Sequence, residues 1–195
     1  MDNINWTGVE ESNGSYAEVT PGAYAAKILD VEDNTGKKYL RFAWDFADGP
    51  LKGDNTRCYE QQGFTPSHGI FIRTYDATKP RGLGMLKKLI VRLEKSNRGF
   101  QWDNANPAAC VGKYFGVVLG EEEYWSTKYN EVRKRLVVAD VLSGEELRAG
   151  DYKVPPLKKF KGQPPAAAPG VPYAQPQPYA PQEFTELGDE EELPF

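Results

Sequence analysis

The 195-residue chain is 39% hydrophobic and 12% aromatic, which supports one buried core and leaves little for a second. Its formal charge of −4 hides two regions of opposite sign, with 24 bases and 22 acids up to Lys161 and six acids and no base beyond it. Two cysteines and one histidine, with no CxxC pair, argue against a Cys/His zinc site, and no segment approaches the roughly 20 apolar residues of a membrane-spanning helix.

The N-terminus, MDNINWTGVEE, has neither the basic start nor the apolar run of a signal peptide. The expectation is a soluble cytoplasmic protein in which Cys58 and Cys110 are reduced and mostly buried. Residues 22–33 (GAYAAKILDVED) and 38–47 (KYLRFAWDFA) flank the turn-forming NTGK and predict a β-hairpin. The second strand alternates, with Leu40, Phe42, Trp44 and Phe46 on one face and Tyr39, Arg41, Ala43 and Asp45 on the other. After ADGPLKGDN, the segment TRCYEQQ is predicted as a third strand with Arg57 and Tyr59 on one face.

The segment GFTPSHGIFIRTYD follows, in which Phe64, Phe71, Arg73 and Tyr75 could extend an aromatic and basic surface, with core packing the alternative for Phe71. Apolar residues at 83, 86, 90 and 93, with Leu89 beside them, predict a helix over 81–96 that Gly99 stops. Residues 111–125 and 131–142 predict two antiparallel strands around the loop WSTKYN, with Phe115, Val117 and Leu119 on one face of the first. Ser143 with Glu146 three residues on forms a capping box and starts a short helix ending near Gly150. Five strands with a helix between the third and fourth give the order of an OB-fold. This is a small, partly open barrel that binds oligonucleotides on its strand 2–3 face and through its 1-2 and 4-5 loops.

From Gly162 the chain reads GQPPAAAPGVPYAQPQPYAPQ, and eight of the 15 prolines lie after residue 161. Such a composition supplies no core. The predicted organisation is therefore an OB-fold domain at 1–161, a disordered Pro-rich linker at 162–188 and an acidic tip at 189–195.

No catalytic constellation emerges. His68 stands alone, GxSxG, HExxH and the phosphate-binding loop are absent, and Glu121, Glu122 and Glu123 are best explained as a solvated strand end, with Mg²⁺ ligation as the alternative. Aromatics do interleave with bases on positions facing away from the expected core: Lys38, Tyr39 and Arg41, Arg57 and Tyr59, Arg73, Lys113 and Tyr114, and Trp125, Lys128 and Tyr129. Residues 79–161 also hold 17 bases against 10 acids. A flat ring stacks on any nucleobase and a neighbouring cation neutralises phosphate, so this pairing suits single-stranded nucleic acid with little sequence preference. The bland alternative is that the rings pack the second face of the barrel.

The sequence ends DEEELPF, which resembles the acidic, Pro-Phe-ending tip of bacterial single-stranded DNA-binding proteins. The body resembles phage-encoded proteins of that kind in KYLRFAWDFADGPLKG, GKYFGVVLGEEEY and DYKVPPLKK. The resemblance implies an OB-fold body that coats single-stranded DNA, a disordered linker, and a tip that recruits replication, recombination and repair proteins. Asp189, Glu190, Glu191 and Glu192 would meet basic residues on a partner while Leu193, Pro194 and Phe195 enter its apolar pocket. Two departures stand out. The usual tip is DDDIPF, whose charge and bulk the substitutions here keep, and the body lacks the typical bacterial domain's pattern, so tetramer formation does not carry over. The expected function is a non-enzymatic, cofactor-free DNA-binding protein of phage or prophage origin. The rivals are a small Mg-dependent nucleic-acid-processing enzyme and a protein-only adaptor.

Overall fold

The computed structural model describes residues 18–162. The chain divides into two units, Met1–Gly162 and Gln163–Phe195; the predicted linker and tip lie outside the described residues. The described unit is mainly β. Its elements are β1 (Gly22–Asn34), β2 (Tyr39–Phe46), α1 (Asp54–Gln62), β3 (Ile70–Thr74), α2 (Pro80–Ser96), β4 (Tyr114–Ser126), β5 (Glu131–Leu142) and α3 (Gly144–Ala149), with short 3-10 turns at Ser67–Gly69 and Pro107–Cys110. The strands form one five-stranded sheet in the order β3-β2-β1-β4-β5, antiparallel throughout. Because the ladders end at β3 on one side and β5 on the other, the pairing describes an open sheet.

The inward face follows from alternation. Ala26 sits opposite Phe46 and Ile28 opposite Trp44. Ile28, Phe42, Trp44, Val117 and Leu119 are all 0% exposed. A bulge between Ile28 and Asp30 then restores the alternation, so that Val31 rejoins the core. Helix α2 closes this core with Leu86, Leu89 and Leu93, a narrower stripe than predicted, with Leu83 and Ile90 only half-buried. Phe71 stacks on Phe42 with ring centroids 5.1 Å apart, and the Trp44 indole donates to the His68 carbonyl at 2.7 Å.

The segment TRCYEQQ is a correction: it belongs to helix α1, and the third strand is Ile70–Thr74. The cause is non-local. The Asp45 carboxylate, on β2, accepts from the backbone N–H groups of Asn55 and Thr56, satisfying donors that a helix start otherwise leaves open. Gly53 and Gly63 take the left-handed conformation at its two ends.

The predicted capping box is present. Ser143 Oγ accepts from the Glu146 N–H while the Glu146 carboxylate accepts from the Ser143 N–H, and Arg92 of α2 pairs with the same carboxylate. Beyond α3 the chain forms a strap along β4. Strand β1 pairs with β4 only as far as Leu119, leaving the edge beyond it open. Lys158 fills that edge, donating its N–H to the Glu121 carbonyl and accepting from the Glu123 N–H. Gly120 is needed beneath the strap, since a Cβ there would lie 2.8 Å from Pro155 Cγ.

Candidate nucleic-acid interface

The outward face of β1, β2 and β3 is built by the same alternation that fills the core. Register sets Glu32, Arg41 and Ile72 in one cross-strand row and Asp30, Ala43 and Ile70 in the next. Helix α1 walls this face and leaves a groove of about 400 Å³ lined by Leu29, Asp30, Arg41, Ala43, Tyr59 and Thr65, with Trp44, Asn55 and Thr56 at its base. Tyr59 is 58% exposed and Ile72 51%, so a ring and an aliphatic side chain face solvent beside a guanidinium. Arg41 pairs with Glu32 at 3.5 Å; between side chains this exposed the pair is weak and an incoming phosphate can compete for it.

Lys38 occupies the β1–β2 turn with φ +53°, its side chain exposed and its carbonyl accepting from Tyr75 and Thr74. Tyr39 is half-buried, and its hydroxyl accepts from Asn34. At the start of β4 the exposed Tyr114 ring has the Lys27 ammonium 5.9 Å from its centroid, while Lys113 lies over Phe100.

The far end of the β4–β5 hairpin holds a second aromatic and basic set. The Tyr129 ring faces Lys128 at 5.1 Å and Arg133 at 4.1 Å, and Arg135 sits 4.9 Å from the Tyr124 centroid. Trp125, expected in a loop, is the penultimate residue of β4 and half-buried, its ring 6.4 Å from that of Phe160 on the strap. Hydrogen bonding to Lys128 pulls the Tyr129 hydroxyl below its usual pKa. Hydrogen bonding to Arg135, with Lys158 adding to it, likewise holds the Glu122 carboxyl below its usual range.

Two of the predicted residues stand apart. Arg57 and Tyr59, expected on one strand face, lie two positions apart on α1, a spacing that does not place side chains together. Arg57 instead pairs with Asp54 and donates to the Lys52 carbonyl. Arg73 is 6% exposed, with its guanidinium over the Phe71 ring and its Nε without a partner; it belongs to the interior. Of the neighbouring aromatics, Phe64 is exposed, Phe71 buried and Tyr75 half-buried, the last donating to Asp33 at 2.7 Å. Sequence reasoning missed Lys27, Arg133, Arg135 and Phe160. Alternation within AAKILD and EVRKRL could have found the first three; the position of Phe160 depends on the strap.

Among the described residues no group of three or more His, Cys, Asp or Glu side chains could hold a metal ion, and no helix is long and apolar enough to cross a membrane. Glu122 is engaged by Arg135 and Lys158, and Glu123 accepts from the Phe160 N–H. The sequence matches no family model and no curated protein.

Proposed function

We propose that the protein binds single-stranded DNA with little sequence preference during replication or recombination in a bacterial host cytoplasm, and that it recruits partner proteins through Asp189–Phe195. The observation that carries this reading is the groove in which Tyr59 and Arg41 flank an exposed, partly apolar sheet face. A ring for stacking and a cation for phosphate stand together there without base-specific machinery. Lys38, Tyr39, Lys27 and Tyr114 extend the surface along the sheet, and Lys128, Tyr129 and Arg133 supply a second patch on the hairpin.

The body is proposed to be an OB-type barrel. The strand order and the position of α2 between β3 and β4 agree with that fold. Ser67, just before β3, donates to the Leu136 carbonyl of β5, a contact between the two edge regions that supports this reading. The tip's role rests on its resemblance to the acidic Pro-Phe tips of single-stranded DNA-binding proteins and on its chemistry. An apolar Leu-Pro-Phe end following four acids fits a basic-rimmed apolar pocket.

The deciding experiment is a binding titration of labelled oligo-dT against duplex of equal length over a range of salt. Tighter binding to the single strand that weakens as salt rises is expected; equal affinity for duplex sinks the reading. Intact labelled strands after incubation with Mg²⁺ separate the binder from a nuclease. A pull-down from host lysate with intact and Phe195→Ala protein tests the tip, and identical partner sets would remove its recruiting role.

A further inference from the structure

We infer that the strap, Lys158–Lys161, is itself part of the nucleic-acid contact: it forms with Trp125 a station beyond the sheet groove that takes further nucleotides of the same single strand. This rests on the function proposed above and extends it to a segment that belongs to none of the five strands.

The strap is held in place. Two main-chain hydrogen bonds fix Lys158 against β4, and the Phe160 N–H is fixed by the Glu123 carboxylate at 3.1 Å. The cations that follow are therefore presented from an ordered backbone, which lowers the entropy lost when they bind a ligand.

The nearest carboxylate charge, Glu122, is already paired with two bases. Glu122 accepts from both Arg135 and Lys158 and Glu123 from Phe160, whereas Lys159 and Lys161 have no carboxylate partner among the described residues. Together with Phe160, Tyr124, Arg135, Lys158 and the carboxylates of Glu122 and Glu123 they line a shallow depression of about 420 Å³, in which four bases outnumber two acids. The Phe160 ring adds a stacking surface between those cations, and it is backed by the Trp125 ring, half-buried like it and 29° from parallel. A flat ring between lysines suits nucleobases and phosphates better than a protein partner, since the cores of protein interfaces are depleted in lysine.

The two stations are connected. Thr65 lines the sheet groove, and two residues on Ser67 donates to Leu136 of the hairpin. In the β4–β5 register Leu136, Lys134 and Val132 stand opposite Glu121, Glu123 and Trp125, so one hairpin face leads from the Ser67 contact to Trp125. A strand leaving the groove past exposed Phe64 can follow that face to the strap.

The test uses the full-length chain and oligo-dT of two lengths, one near the lower end and one beyond the upper end of the roughly 4–16 nucleotides that an OB-fold covers. For the long oligonucleotide, Lys159→Gln/Lys161→Gln is expected to weaken binding several-fold at low salt. It should also flatten the salt slope by about 1.4, since each single-strand phosphate contact contributes roughly 0.7. Phe160→Leu, which keeps an apolar side chain against Trp125 and should melt like wild type, is expected to weaken the long oligonucleotide several-fold and the short one little. Tyr59→Ala should weaken both. If wild type binds oligo-dT and the strap variants match it in affinity and salt slope at both lengths, the strap is structural only and the inference falls. If wild type binds neither oligonucleotide, the proposed function falls and takes this inference with it.

Discussion

Strand β4 passes through two environments, and the contrast between them shows how the fold divides its labour. From Phe115 to Gly120 it is buried, with β1 and β5 on its flanks. Gly116 lies so close to Leu142 that an added Cβ would sit 2.8 Å from the Leu142 Cβ. From Glu121 to Trp125 the same strand is only half-buried, and its side-chain partners are Arg135, Lys158 and Phe160. The first half is held by excluded water and close packing, the second by charge and ring contacts that water and salt can weaken. Stability should therefore reside in the first half and the capacity to exchange partners in the second.

Core truncation should break this comparison most severely. Trp44→Ala removes a fully buried ring and its hydrogen bond to His68, and should cost about 3–5 kcal/mol in denaturant unfolding. Arg133→Ala on the hairpin should stay within about 0.5 kcal/mol. Equal losses would mean that the hairpin is as much a part of the cooperative core as the sheet.

Overpacking should give the next largest effect. Gly116→Val forces a side chain against Leu142 and Leu147 and should destabilise by about 1–3 kcal/mol, read as a lowered midpoint at unchanged m-value. Gly144→Ala, where a Cβ meets nothing within 4 Å, should change stability far less.

Binding sharpens the comparison on the sheet side. Tyr59→Ala should lose roughly 1–3 kcal/mol of single-strand affinity if the ring stacks. Arg57→Ala, turned toward Asp54 on another face of α1, should leave affinity close to wild type. A loss at Arg57 as large as that at Tyr59 would place the strand on the other side of α1.

The smallest effect is expected from pH. Burial pushes the His68 imidazole below its ordinary pKa, although Asp54 and Asp45 oppose the shift. The unfolded chain therefore takes up a proton near pH 6.5 that the folded chain resists. Stability should be full above about 6.5 and decline as pH falls toward the lower folded pKa, by at most about 1.4 kcal/mol per pH unit. His68→Gln should flatten this limb of the stability profile, and an unchanged slope would assign it to other groups.

Much of the architecture was legible because it is encoded locally. The β1–β2 hairpin follows from alternation around a turn, the β4–β5 hairpin likewise, and α3 from the spacing of Ser143 and Glu146. The α1 segment was misread because its cap, Asp45, lies on a neighbouring strand, and because DNTRCYEQQ carries no apolar stripe to mark a helix. Strand β3 was missed for a related reason. In IFIRT, Arg73 points inward beside Phe71, against the usual expectation for a charged residue. The candidate site was legible in its residue types and only partly in its geometry. Tyr59 and Arg41 do line one groove, from a helix and a strand; Arg57 and Arg73 turn elsewhere, and Trp125 has a ring beside it that only the strap could supply.

The strap also bears on self-association. An unpaired strand edge is a template for another chain, and the distal half of β4 would present one on the side that β1 leaves vacant. Lys158 occupies that edge through its own backbone groups, with Glu121, Glu122 and Glu123 alongside to discourage a second strand. During synthesis the strap emerges last of the described segments, so the β4 edge stays open until residue 158 has left the ribosome. A chain cut at Gly150 would keep all five strands and all three helices, yet carry a permanent site for edge-to-edge aggregation.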